Sequence, residues 1–345
     1  MQKPPSLLLI LIPILSSTWA DAAPPGTEFS SRLAPHAASS GPVVSSERGG
    51  LSARPGRELA QADEPEPVVK RPSATEVLQD SRSRLMQYAS VKANIHERVS
   101  ILDHSFIAKG SYLQGKNLQL RLEFSLELGG NKASLLEVCD GQVLWTRHEI
   151  SSDAEITRRD VREILKAAER NGRVPQNTLI AELGLGGLPG LLAALEVDLD
   201  FRRVSEDTID SRPVIMIEGK WKPAFLQRLT GTKLEGKEKP MPPFIPDLAR
   251  IYFDKETRFP RRIMYLKSLP DRKVLRPMLV LDFTKVVLNG PTSEQDFLFI
   301  PPDSPAPKEL THFYLERLLQ AAPAGEGGPR SPLPETKTTP RSTEK

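Results

Sequence analysis

Two hydrophobic periods divide the chain. From Leu118 to Leu128 the apolar residues Leu118, Leu120, Leu122, Phe124, Leu126 and Leu128 alternate with Gln119, Arg121, Glu123, Ser125 and Glu127. A period of two places alternate residues on opposite faces of a strand. This run therefore predicts a strand with one apolar and one wet face, as in an antiparallel sheet. Ala93, Ile95, Val99 and Ile101 alternate in the same way with Asn94, His96, Arg98 and Ser100. Gly129-Gly130-Asn131 and Asp140-Gly141 supply turns around strands at 133–139 and 142–150. A helix over 74–90 precedes them. Ser73-Ala74-Thr75-Glu76 fits a capping box, and Leu78, Leu85, Met86 and Ala89 form its stripe.

A helical interlude follows the first strands. Thr157-Arg158-Arg159-Asp160 reads as a second capping box, with Val161, Ile164, Leu165 and Ala168 as the apolar face and Asn171-Gly172 as the stop. A short helix is predicted over Thr178–Leu183. Gly184 to Leu195 is very apolar, with Leu185, Leu188, Leu191 and Leu192 set among glycines and Pro189. Glycine weakens a helix by ~1 kcal/mol, which suits a moving segment; close packing of an ordinary core helix is the plainer account of the same residues. Strands return around 199–210, 212–221, 247–254, 260–269 and 274–288, and Phe297, Phe299 and Ile300 close the pattern. Leu310, Phe313, Tyr314 and Leu318 predict an amphipathic helix over 308–321 that docks on the domain.

The ends differ from this block. Many of the 32 prolines among 345 residues lie there. Residues 23–72 and 322–345 are rich in Pro, Ser, Gly and Ala and predict disorder, because so little apolar surface cannot offset chain entropy. Residues 1–22 read as a cleaved secretory signal: Lys3, an apolar run from Leu7 to Leu15, then Ala20-Asp21-Ala22. An uncleaved anchor is the rival reading, but the run is short for a bilayer. No cysteine follows it to accept a lipid. The patterned domain is thus 73–307, exported to the periplasm or beyond.

Charge and chemistry narrow the function. Lys and Arg total 47 against 44 Asp and Glu, too even for a dedicated nucleic-acid binder. A single cysteine, Cys139, forbids an internal disulfide and reads as a buried small hydrophobe. No HExxH, GxSxG or phosphate-loop motif occurs. His96-Glu97 and His148-Glu149 are neighbours on strands and point to opposite faces; convergence of His96, His104 and His148 across strands is the remaining route to a metal. Arg158-Arg159, Arg202-Arg203 and Arg261-Arg262 read as solvated edges or as contacts for anionic headgroups. No cofactor, metal or catalytic residue is predicted, and the chain reads as a non-enzyme.

Specific segments carry a family likeness. Ile251 to Ser268 (IYFDKETRFPRRIMYLKS) resembles the strand–turn–strand hairpin of the LolA-like periplasmic lipoprotein carriers. Leu279 to Asp303 (LVLDFTKVVLNGPTSEQDFLFIPPD) resembles their closing segment, and Tyr88 to Ala93 their first helix-to-strand junction. The likeness spans roughly 74–303; the tails and an insertion at 223–246 depart from it. It implies an α+β fold, a strongly curved antiparallel sheet forming a half-open barrel covered by mid-chain helices. It further implies a lipid-binding hollow and an inward arginine that helps hold the lid; Arg98, Arg121 and Arg147 lie on strands, but the pattern does not assign that role.

The expected function is carriage of a lipid, acylated protein or other apolar ligand, with a membrane surface or receptor as a further partner. Leu120, Leu122, Phe124 and Leu126 are the expected wall, Leu185, Leu188, Leu191 and Leu192 the lid, and Trp145 a further lining residue. The alternative is a structural or interaction module of the cell envelope with a filled core.

Overall fold

The computed structural model describes residues 72–101, 104–128, 130–172, 174, 176–230, 242–269 and 274–320. The expected signal, the two low-complexity ends apart from Pro72, and part of the 223–246 insertion lie outside the described residues.

Helix α1 (Ala74–Gln87) starts at the expected cap. The Glu76 amide donates to Ser73 Oγ at 3.2 Å, and the Ser73 amide donates to Glu76 Oε2 at 2.6 Å. Its buried stripe is Ala74, Val77, Leu78, Ser81 and Leu85; Met86 is outside it, 66% exposed. Six strands follow: β1 (Val91–Ile101), β2 (His104–Gln114), β3 (Gln119–Leu128), β4 (Asn131–Asp140), β5 (Val143–Ile150) and β6 (Asp153–Asp160). Strand β2 was not legible in the pattern. Its inward positions include Ala108 and Gly110, which carry little hydrophobic signal. Gly110 is required by close approach, since a Cβ there would stand 2.1 Å from the Glu123 carbonyl oxygen.

The second capping box is corrected by the structure. Thr157 lies within β6, and Asp160 caps helix α2 (Val161–Asn171) by accepting the Glu163 amide at 2.9 Å. Helices α3 (Gln176–Glu182) and α4 (Gly187–Asp198) complete the interlude. Then come β7 (Leu199–Ile209), β8 (Arg212–Trp221), helix α5 (Pro223–Thr230), β9 (Leu248–Asp254), β10 (Pro260–Leu269) and β11 (Val274–Leu288). A two-residue strand β12 (Lys308–Glu309) precedes helix α6 (Thr311–Gln320), where the sequence predicts helix from 308.

Among the described residues these strands form one sheet in the order β12-β6-β5-β4-β3-β2-β1-β11-β10-β9-β8-β7. Two antiparallel meanders, β1–β6 and β7–β11, join where β1 pairs with β11, and only β12 runs parallel to its neighbour β6. The sheet does not close: β12 and β7 are its edges. A twisted sheet this wide curls. Helices α2 to α4 carry the chain from β6 near one edge to β7 at the other, and their apolar residues join the inner face in one core. This is the α+β, open-barrel arrangement that the LolA-like resemblance implies.

The outer face is charged and partly covered. Asp282 of β11 accepts Arg98 of β1 at 2.9 Å and also Arg262 of β10, and Arg250 of β9 pairs with Glu218 of β8 at 2.6 Å. The segment after β11 crosses the outer side of β3–β5 instead of extending a strand. A short 3-10 turn (Glu294–Phe297) buries Phe297 against β3 and β4, and Phe299 packs on Trp145 at 5.6 Å. Helix α6 docks on α2: Asn171 Nδ2 donates to the Leu318 carbonyl at 2.6 Å, and Tyr314 and Leu318 are buried.

Candidate functional site on the inner face

Cross-strand register arranges the inner face in rows. One row is Val91, Gln114, Leu120, Cys139, Leu144 and Arg159; the next is Ala93, Tyr112, Leu122, Glu137, Thr146 and Thr157. Then follow Ile95, Gly110, Phe124, Leu135, His148 and Glu155, and finally Glu97, Ala108, Leu126, Ala133 and Ile150.

The first two rows are sealed by the interlude. Leu120 and Leu122 are buried, and Leu188 and Leu192 of α4 are wholly so. A direct latch joins α4 to the sheet. The Leu188 amide donates to the Tyr112 hydroxyl at 3.1 Å, and that hydroxyl donates to Gln114 Oε1. Gly187 permits the approach: its φ is 53°, and a Cβ there would stand 2.5 Å from the Tyr112 oxygen. This glycine therefore serves close packing. Tyr112→Phe removes the latch and leaves the Leu188 amide unpartnered; we expect a loss of about 1 kcal/mol in urea unfolding, with faster hydrogen exchange at the Leu188 amide. Unchanged exchange there would show that the latch does not hold α4.

The expected wall and lid residues thus divide. Leu120, Leu122, Leu185, Leu188, Leu191 and Leu192 pack together in the core, whereas Phe124 and Leu126, in the last two rows, are only half-buried. Small residues flank that pair: Gly110, Ala108 and Ala133. Trp145 does not join them. It pairs with Val138 and Arg158 on the opposite face, where the Arg158 guanidinium lies 5.9 Å from its ring. Arg98, Arg121 and Arg147 also face outward, paired with Asp282, Glu123 and Glu149. Among the described residues of β1–β6, the inward arginine is Arg159. Its Nη1 donates to Thr146 Oγ1 at 3.0 Å. A cleft of about 1070 Å3 opens at the ends of β1–β4; most of its lining faces outward, including Arg98, Ile107, Lys109, Ser125, Lys132 and Ser134, and Val99, Phe106, Leu126 and Ala133 reach it from inward rows.

Sequence reading missed two buried carboxyls. Glu97 and Glu137 both lie on the inner face, 4% and 7% exposed. Burial pushes Glu97 up to about 8. It pushes Glu137 up to about 7, against the opposing pull of the Arg159 charge. The signal was present: Glu97 fills the inward position between Ile95 and Val99.

The remaining chemistry stays quiet. Cys139 is wholly buried and its thiol is pushed up to about 12 by desolvation, which keeps it protonated and unreactive. His96 pairs with Lys109 and Asp282 on the outer face while His148 faces inward, so the two do not converge. No cluster of metal-ligating side chains occurs among the described residues, and no helix there is long and apolar enough to cross a membrane. Arg261 meets Asp254 and Arg262 meets Asp282.

No protein-family model and no curated protein sequence matches the chain. Solved structures do. The chain is similar to the Pseudomonas aeruginosa MucA/MucB complex at 11% identity, covering 66% of this chain and 60% of that one, with a TM-score of 0.33. It thus spans about three fifths of the MucB chain. It is similar to the Mycobacterium tuberculosis lipoprotein LppX at 12% identity, covering 64% and 99%, with a TM-score of 0.34. It is also similar to a LolA superfamily protein from Nitrosomonas europaea at 11% identity, covering 66% and 99%, with a TM-score of 0.25.

Proposed function

We propose that this domain is a non-catalytic binding protein that takes an apolar, acyl-type ligand against the Phe124 and Leu126 rows of the inner face. One observation supports this above the others. Phe124 and Leu126 stay half-buried beside Gly110, Ala108 and Ala133, while the rows nearer α4 are closed. The exposed part of these two side chains leaves an apolar wall uncovered, and Leu126 and Ala133 also border the cleft at the strand ends. Burial of a chain there is favourable by ~0.8 kcal/mol per methylene, so one long acyl chain suffices for useful affinity. On this reading the ligand lies away from α4, unlike the site expected beneath the Leu188 segment.

Uptake of a fluorescent long-chain fatty acid by the full chain tests the reading. Ala133→Trp fills the space, and Phe124→Asp makes the wall polar; each is expected to weaken uptake at least tenfold, with circular dichroism confirming the fold. Wild-type protein that takes up no probe, and carries no lipid in native mass spectrometry, overturns it. That result favours the second reading, an envelope interaction module, which the solid packing of Leu120, Leu122, Leu188 and Leu192 supports.

A further inference from the structure

Two polar side chains interrupt the apolar inner face without a hydrogen-bond partner among the described residues, although the Tyr265 ring stacks on Trp221 at 6.0 Å. Glu97 is 4% exposed and Tyr265 of β10 is 8% exposed. Neither makes a hydrogen bond or ion pair among the described residues. Their oxygens are not sealed in, unlike Thr157 Oγ1 and Arg159 Nε, which are buried and unpartnered. They stand near one another across β11. Glu97 pairs with Leu281, Tyr265 with Leu279, and the Glu97 charge bears on the Tyr265 hydroxyl. Glu97 also shares its row with Ala108, Leu126 and Ala133, of which Leu126 is half-buried.

We propose that Glu97 and Tyr265 are the polar anchor of this apolar site, donating hydrogen bonds to the ester carbonyl of an acylated ligand. This deepens the binding reading above and rests on it. A carbonyl oxygen has two lone pairs and no proton, so it needs donors; a carboxylic acid and a phenol each supply one. Burial keeps the Glu97 carboxyl protonated at neutral pH, where the Tyr265 phenol already carries its proton, and burial and the charge of Asp198, at the end of α4, raise Tyr265 further. The other groups facing Glu97 across the strands, Ala108 and Leu281, are apolar, while His96 and Arg98 point to the outer face. An ester is then preferred over a plain hydrocarbon because only the ester satisfies the two donors.

The full chain is titrated with two probes, a fluorescent long-chain fatty-acid methyl ester and the hydrocarbon diphenylhexatriene. Glu97→Leu and Tyr265→Phe are expected to weaken ester binding about tenfold, equivalent to about 1.4 kcal/mol, and to leave hydrocarbon binding unchanged. Glu97→Gln keeps a donor and is expected to retain ester binding. It is also expected to abolish the loss of ester affinity that wild type shows above pH 8, as Glu97 ionises. Equal weakening of both probes, or none in either variant, overturns the anchor. Wild type that binds the hydrocarbon but not the ester overturns the anchor alone. Failure to bind either probe overturns the site itself.

Discussion

Raising the pH from 5 to 8 weakens the folded domain, and Glu97→Gln removes the larger part of that loss. The folded-state pKa of Glu97 is about 8 and that of Glu137 about 7, against 4.5 for an ordinary glutamate. Each group therefore binds its proton more tightly in the folded chain. Below pH 4.5 both states are protonated and nothing is lost. Between 4.5 and the folded value, the unfolded chain ionises while the folded one does not. Stability falls across that window by on the order of 1 kcal/mol per pH unit for each group, several kcal/mol in all. Glutamine cannot ionise, so Glu97→Gln is expected to stabilise the protein at pH 8 by a few kcal/mol and to change little at pH 4.5. Glu137→Gln is expected to gain less, because Arg159 already favours the Glu137 charge. Urea midpoints at pH 5, 6.5 and 8 measure this. A wild-type midpoint that does not move with pH would show that neither carboxyl is held in a dry site.

Leu188→Ala and Leu192→Ala are each expected to cost 2–5 kcal/mol in urea unfolding. Both side chains are wholly buried in the core that α4 shares with Leu120, Leu122 and Tyr112. Truncation loses the transfer free energy of the removed carbons and leaves a cavity that close-packed neighbours fill only in part. Losses below about 1 kcal/mol would mean that the space beneath α4 is loosely filled and that the ligand site belongs there. The size of the loss thus decides between two positions for the hollow, beneath α4 or along the Phe124 and Leu126 rows.

These contrasts mark how far local pattern reaches. The Leu118–Leu128 alternation correctly puts Leu120, Leu122, Phe124 and Leu126 on one face, because the pleat makes that a local property. It does not tell that Leu122 is sealed while Leu126 is half-buried. That depends on α4 meeting Tyr112, residues 76 positions apart in the chain. Trp145 is the clearest miss. Its face follows from pairing with Val138, and a shift of one residue would turn it inward. Thr157-Arg158-Arg159-Asp160 fits both a helix cap and a strand end; pairing with β5 decides for the strand, and so puts Arg159 inside and Arg158 outside.

By itself, the amino-acid sequence determined the kinds of element, most of their order, the cap of α1, the wet and dry faces of the clearest strands, and the lack of a familiar catalytic motif. Such features arise from side chains within a few residues of one another. Only the tertiary structure decided that β1 pairs with β11, that Gly187 serves contact with Tyr112, and that Glu97 and Tyr265 share an apolar wall. Those outcomes depend on long-range register, in which the free energy of burial summed over many residues overrides what any short segment prefers.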